Sequence, residues 1–417
     1  MERPNHKRIL ASGFVGNVLE WYDFAVYGFF APTIGKLFFP SDDPATSLIA
    51  AFGAFAAGFL MRPVGAVLFG HIGDLLGRKR ALMLSVMMMA LPTFLVGALP
   101  THEEIGLAAA ALLVLLRMVQ GVSVGGEYTS SFVFLVEQAP NGRRAFFGSW
   151  SLIGCTGGIL LGSAVGALIS NLTTDAQQET WGWRLPFLAG VIIALVGLAI
   201  RRGIPEQPVA ADAAGSPLFE AVTGSWRRLL QAVGLNSMGA VVFYTVFIYM
   251  ATWLVEQVGE TRAEALDINT ISMVVLALVV VGFALLSDRI GRKPLLLFGS
   301  AGTALFSYPL VWMMHHHDPV MILAGQIGLA ILLGAFTAVI PVTMAELFPR
   351  KVRVSAASIS YNLPYAIFGG TAPMVATWLV TRTGDAMAIS WYLVGISAFA
   401  FLVALTIPET SKVRLDE

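Results

Sequence analysis

Apolar runs of bilayer length recur along this 417-residue chain, and charge is almost confined to the short segments between them. A helix needs about 20 mostly apolar residues to cross the hydrocarbon core, whereas a barrel strand needs only about 10. Inside lipid every backbone amide must be satisfied within the protein, so runs this long can only be helices. That rule places twelve spans, near 12–38, 46–70, 80–99, 106–137, 145–170, 183–202, 230–256, 266–287, 294–314, 319–347, 355–381 and 389–407. The 12% of charged residues is about half of what a soluble domain carries. The expected class is therefore an all-α membrane protein embedded in a lipid bilayer. The first run is too long for a cleavable signal and carries Glu20 and Asp23.

Other classes are excluded as directly. Lys+Arg and Asp+Glu are balanced at 26 each, so no basic excess points to nucleic acid. The single cysteine, Cys155, rules out an internal disulfide framework or a Cys-based zinc cluster. His315, His316 and His317 are adjacent and cannot all face one ion. Gly154, Gly157, Gly158 and Gly162 lack the Gly-Lys-Ser/Thr that a phosphate loop needs, and read as a helix–helix seam. No catalytic pair is visible either. Neither an enzyme nor a resident cofactor or metal is expected.

Orientation follows from the basic residues. With both termini on one side, only Lys36, Arg184, Arg262 and Arg382 face the opposite side, and only Arg62 and Arg117 lie inside spans. The other twenty collect beside the termini, which makes that side cytoplasmic. Three patterns also recur in order, roughly 200–215 residues apart. Asp74-x-x-Gly77-Arg78-Lys79 returns as Asp288-x-x-Gly291-Arg292-Lys293. Glu137-x-x-Pro140-x-x-x-Arg144 returns as Glu346-x-x-Pro349-x-x-x-Arg353, and Ile204-Pro205-Glu206 as Ile407-Pro408-Glu409. Three repeats in register imply two homologous six-helix halves, 1–202 and 230–417, joined by a cytoplasmic linker over 203–229.

Two parallel halves of six spans with these motifs resemble the major facilitator superfamily. Asn17-Val-Leu-Glu20-Trp21-Tyr22-Asp23-Phe24, Gly58-Phe-Leu-Met-Arg62-Pro63-Val-Gly65, Gln120-Gly-Val-Ser-Val-Gly125-Gly126-Glu127-Tyr128 and Trp181-Gly-Trp-Arg184-Leu-Pro186-Phe187 look like its metabolite–proton symporter family. The C-terminal half resembles that family mainly through its cytoplasmic motifs and Ala366-Ile-Phe-Gly369-Gly370. The resemblance implies a monomeric carrier in the bacterial inner membrane that imports a small carboxylate-bearing metabolite with protons. Dicarboxylates, citrate, shikimate, proline and betaine are the family's cargoes. In the superfamily the short cytoplasmic motifs latch that side shut. Asp74 and Asp288 would then accept from opposing helix N-termini, while Arg78 reaches Glu137 and Arg292 reaches Glu346. Arg144 and Arg353 complete the cytoplasmic gate.

Charges inside spans are costly and by default functional. Glu20 and Asp23 are three apart on one helical face, where two carboxylates resist being ionised together. Asp23 is expected to carry the coupling proton, with Glu20 or Glu127 assisting. Arg62 and Arg117 keep their charge and need an acid or an anionic ligand, so both are candidates for the substrate carboxylate. The alternative for each is a fixed pair with an acid. Arg117 and Glu127 stand about 15 Å apart along one helix and would meet other partners. Tyr22, Tyr27, Tyr128, Tyr244, Tyr249, Tyr361, Asn362 and Tyr365 are the uncharged candidates for substrate contact, against a role in ordinary packing.

Import of a carboxylated metabolite is the leading expectation, because two buried arginines favour an anion. A proton symporter of a zwitterionic osmolyte is the second. The chain runs only about ten residues past the last span, without the long charged coiled coil of osmosensing relatives. A drug exporter, with its larger apolar cavity and fewer buried charges, is the third.

Overall fold

The computed structural model describes the backbone of residues 6–76, 78–125, 127–202 and 222–415. Its long helices are α1 (His6–Phe29), α2 (Pro44–Phe69), α3 (Arg78–Ala98), α4 (Leu107–Glu137), α5 (Arg144–Leu172) and α6 (Arg184–Arg202). After residue 221 come α7 (Trp226–Val258), α8 (Arg262–Ile290), α9 (Lys293–Met314), α10 (Pro319–Leu347), α11 (Arg353–Thr383) and α12 (Ala388–Thr406). Among the described residues nine of these, all but α1, α3 and α6, are long and apolar enough to cross a membrane. Most of the expected linker, 203–221, lies outside the description.

Local chemistry starts these helices where the sequence places it. Asp43 accepts from the Ala45 and Thr46 amides at 3.2 Å, and Pro44 occupies the first helical position of α2. Asp318 and Pro319 do the same for α10, and Thr261 with Glu264 forms a reciprocal capping box on α8. Gly259, at φ +85°, ends α7 in the left-handed region that a side chain disfavours.

Two helices are interrupted where they pass the centre. α7 carries wide π-helical turns at Thr245–Tyr249 and Leu254–Val258, and α11 carries one at Tyr365–Gly369, directly after Pro364. Such turns release backbone groups from the regular ladder and recur at functional sites. In α7 the freed carbonyls of Val246 and Phe247 accept from Gln326 and Asn269, at 3.1 and 3.2 Å.

Helix α7 is enclosed from Gly234 to Leu254, as is α1 from Trp21 to Phe29. α1 packs along α5, and α5 along α8; α2 packs along α4 and against α11. The α1–α5 seam confirms the small-residue reading at two positions. A Cβ on Gly158 would overlap the Val18 carbonyl, and one on Gly162 would lie 3.0 Å from the Ala25 side chain. At the α2–α4 crossing the backbones touch: a Cβ on Gly121 would overlap the Gly58 carbonyl, and one on Gly65 the Val122 carbonyl. Two of the sequence blocks that looked most diagnostic are thus the two sides of one helix crossing.

Candidate functional site

The four charged candidates with described side chains form two buried ion pairs at the centre. Arg117 Nη1 donates to Asp23 Oδ2 at 2.8 Å and to Gln120 Oε1 at 2.8 Å. Gln120 in turn donates to Thr93 Oγ1 at 2.9 Å, fixing its amide. Arg117 is fully enclosed, with its guanidinium 4.4 Å from the Tyr27 ring centre and 4.6 Å from that of Phe24. Among the described residues its Nε and Nη2 find no acceptor, nor does Asp23 Oδ1 a donor. A buried guanidinium left with unmet donors is costly and marks a place where a ligand or water adds bonds.

The second pair is longer. Arg62 Nη2 reaches Glu20 Oε1 at 3.4 Å, and Arg62 Nε donates to Asn362 Oδ1 at 3.3 Å. The Asn362 amide donates to the Gly125 carbonyl at 2.8 Å, so this residue of α11 ties α2 to α4. Around Arg62 stands an aromatic enclosure. Its guanidinium lies 5.4 Å from the Trp21 ring, 5.2 Å from Phe59 and 5.7 Å from Tyr361, all within cation–π range. Tyr361 stacks on Tyr365 at 4.0 Å and meets Tyr128 at 4.5 Å, while Tyr244 faces Trp21 at 6.3 Å. Trp21 Nε1 and the Tyr244 hydroxyl are buried without a hydrogen-bond partner among the described residues.

The structure therefore brings Tyr128, Tyr244, Tyr361, Asn362 and Tyr365 together around Arg62, and it places three other candidates outside that cluster. Tyr22 turns away, its hydroxyl spent on the Pro186 carbonyl of α6 at 3.0 Å. Tyr27 bonds the Ala51 carbonyl at 3.0 Å and serves as a wall for Arg117. Tyr249 stands apart, edge-on to Phe52. The Glu127 side chain lies outside the described residues. Gln120 and Trp21 escaped the sequence reading. Gln120 is three residues from Arg117 on the same helical face, a spacing that was readable. Trp21 required the fold, because nothing in its spacing says that Arg62 will lie over its ring.

At the end of the bundle predicted cytoplasmic, the gate residues cross between the helices before 203 and those after 221. Arg292 donates through Nε and Nη2 to Glu346 at 3.1 and 3.0 Å, as expected. Asp288 accepts from the Ala145 and Phe146 amides at 2.9 and 3.0 Å, capping α5 from α8. Arg144 reaches Glu346 at 3.4 Å, and Arg353 reaches Glu137 at 2.6 Å. Glu137 accepts from Arg353, and the expected contacts of Arg78 and Asp74 lie outside the described residues. The tail adds a strap. The Val413 carbonyl accepts from Arg144 at 2.7 Å and the Leu415 carbonyl from Arg353 at 2.8 Å. Glu409 accepts from the Arg292 and Lys293 amides at 2.9 and 3.0 Å. Burial alone would raise the Glu409 pKa; those amides and that of Ser411 outweigh it and hold the carboxyl below its ordinary range.

Comparison with known proteins agrees with this architecture. The sugar (and other) transporter family profile matches residues 10–211 and 209–417. The proline/betaine transporter of Escherichia coli K12 is 33% identical over 97% of this chain and 84% of its own length. The glycine betaine/proline/ectoine/pipecolic acid transporter OusA of Dickeya dadantii is 35% identical with the same coverage. A putative proline/betaine transporter of Staphylococcus aureus MSSA476 is 37% identical over 95% of this chain and 87% of its own. Among solved structures, the xylose transporter XylE of E. coli, partially occluded and inward open, superposes with a TM-score of 0.76 at 19% identity, covering 99% of this chain and 100% of that one. A D-xylose–proton symporter reaches 0.78 at 21% identity over 97% and 99%. The all-helical fold, the motifs that cross between the two sets of helices and relatives matched over most of their length converge: this chain belongs to the sugar (and other) transporter family.

Proposed function

We propose that this protein is a proton-coupled symporter of a small zwitterion such as proline or betaine. On this reading it has twelve spans, two six-helix halves and both termini in the cytoplasm. The observation that carries the substrate class is the aromatic enclosure around Arg62. Ring faces attract an alkylated or quaternary ammonium, and an arginine binds the carboxylate that proline and betaine also carry. The names of the relatives point the same way. The organic-acid expectation gives way here, since an acid without a cation has no use for three aromatic ring faces; the anionic handle that motivated it is retained. The relatives lend no support to a drug exporter.

Coupling runs through Asp23. When Asp23 takes a proton it no longer holds Arg117, whose Nε and Nη2 already lack acceptors. The freed guanidinium then favours a substrate carboxylate, and a bound carboxylate in turn favours the protonated Asp23. Each ligand strengthens the other by the same factor, as linkage requires. Opening to the cytoplasm readmits water, releases the proton and restores the pair. Midway closure at both ends and rocking of the halves provide alternating access.

Proteoliposome uptake of labelled betaine tests this. Asp23→Asn, which mimics the protonated carboxyl, is expected to keep substrate exchange and lose accumulation driven by an inward proton gradient. Full gradient-driven accumulation by that variant would place the proton elsewhere.

A further inference from the structure

We propose that Arg262 is the outer-gate residue of this carrier, a positioning group that holds the external ends of the two sets of helices together when the outside is shut. The inference rests on the alternating-access reading above. The capping box of Thr261 and Glu264 sets the start of α8, with Glu264 accepting from the Thr261 amide at 3.1 Å and Thr261 Oγ1 from the Glu264 amide at 3.2 Å. That rigid start carries Arg262 in its first turn, where a cation opposes the helix dipole. Helix stability therefore gives no reason for an arginine there. Its contacts do, because they cross to the other set of helices. Arg262 Nη1 donates to Thr33 Oγ1 at 2.9 Å and to Gln178 Oε1 at 3.2 Å, and Nη2 to the Phe29 carbonyl at 3.5 Å. Phe29 ends α1, and the C-terminal carbonyls of a helix welcome a cation. The guanidinium also lies 5.4 Å from the Phe30 ring. Thr33 and Gln178 are both buried, so these bonds are made inside a closed seam rather than on a wet surface.

The seam continues inward along the same face of α8. Leu266 O and Thr270 Oγ1 meet Ser163 of α5 at 3.3 and 2.8 Å, and Asn269 donates to Ser163 at 3.2 Å and to the freed Phe247 carbonyl of α7 at 3.2 Å. Positions 262, 266 and 269–270 follow one helical stripe. Any opening of the outer end that separates α5 from α8 breaks the Arg262 bonds first, since they lie farthest from the centre. This end is the counterpart of the ion-paired gate at Glu346 and Glu137.

The native chain supplies its own reporter. Cys155, the single cysteine, is buried in α5 beside Arg62 and the central tyrosines. In right-side-out vesicles holding the full-length protein, a membrane-impermeant maleimide added outside reaches Cys155 only when the outer end opens. Arg262→Ala is expected to speed that labelling about tenfold, the change produced by roughly 1.4 kcal/mol in the closed–open balance. The double variant Thr33→Val, Gln178→Leu, which removes acceptors and keeps the arginine, is expected to do the same. Lys36→Ala, which breaks the neighbouring exposed pair with Glu179, is expected to leave the rate unchanged. In inside-out vesicles the first two variants should label no faster than wild type. Outer rates unchanged in both, or equal rises from both sides as simple loosening would give, overturn the proposal. The assay needs no substrate, so failure of wild-type betaine uptake would sink the functional reading and leave the gate measurement intact.

Discussion

At the residue scale the two buried pairs differ in a way that assigns them different work. Asp23 and Arg117 sit at 2.8 Å with donors to spare, whereas Glu20 and Arg62 sit at 3.4 Å and Arg62 spreads its charge over ring faces. Removing one member of a buried pair strands the other, at a cost of about 3–5 kcal/mol. On the proposed reading, Arg62 occupies the ring faces that a substrate ammonium would use, and substrate entry would draw the guanidinium toward the carboxylate. Trp21→Leu removes one such face. It is expected to weaken betaine binding by about 30-fold, from the ~2 kcal/mol of a desolvated cation–π contact. It should weaken a simple monocarboxylate far less. Isothermal titration of both ligands on purified protein reads the difference.

At the element scale, glycine decides how closely α2 and α4 approach, and that approach sets where Arg62 and Arg117 point. Gly121 lies against the Gly58 carbonyl, and Gly58 in turn would carry a Cβ 3.0 Å from the Arg117 carbonyl. Gly121→Val must push the helices apart or fail to pack, and is expected to lower stability by about 1–3 kcal/mol. Gly53, on the partner helix α2, has open space where a Cβ would go, so Gly53→Ala is the control and should be neutral or stabilising. Thermal unfolding in detergent separates the two. The wide turns in α7 and α11 belong to the same scale. Pro364 announces the second, but nothing comparable in the sequence announces Thr245–Tyr249, which is set by the partners its carbonyls find in Gln326 and Asn269.

At the scale of the whole molecule both ends are closed, with ion pairs and the tail at one end and the Arg262 seam at the other. The Glu137–Arg353 pair spans the two sets of helices, and Arg353 is almost wholly buried. Glu137→Gln is expected to favour the cytoplasm-open form and to raise maleimide labelling of Cys155 in inside-out vesicles several-fold, in proportion to the population shift. The tail adds a pH dependence whose sign follows from Glu409. Its carboxyl is held below the ordinary value, so its contribution to the docked strap is complete above that value. The contribution is lost only as pH falls through the lowered one. The strap is therefore expected to stay docked between about pH 5 and 8 and to release only under stronger acid. Glu409→Gln should remove that acid step, as read by spin-label distances from Val413 to Asn141.

The amino-acid order alone carries the membrane class, most of the helix limits, the twofold recurrence of motifs and the list of buried charges. Each of these depends on local physics. A run of apolar residues is expensive in water wherever it lies, Asp43 or Asp318 before proline caps whatever helix follows, and a charge inside a span is conspicuous by itself. Pairing was not readable, because it depends on distances between helices. Arg117 was free to bind substrate or acid until α1 was set beside α4. The Glu137–Arg353 contact joins residues of two motifs 216 positions apart in the chain. Tyr22 and Tyr128 looked alike as tyrosines on polar helical stretches, yet one faces α6 and the other the centre. The proposed substrate class follows the same rule: a carboxylate handle was visible in two arginines, but the aromatic enclosure exists only once α1, α2 and α11 converge on Arg62.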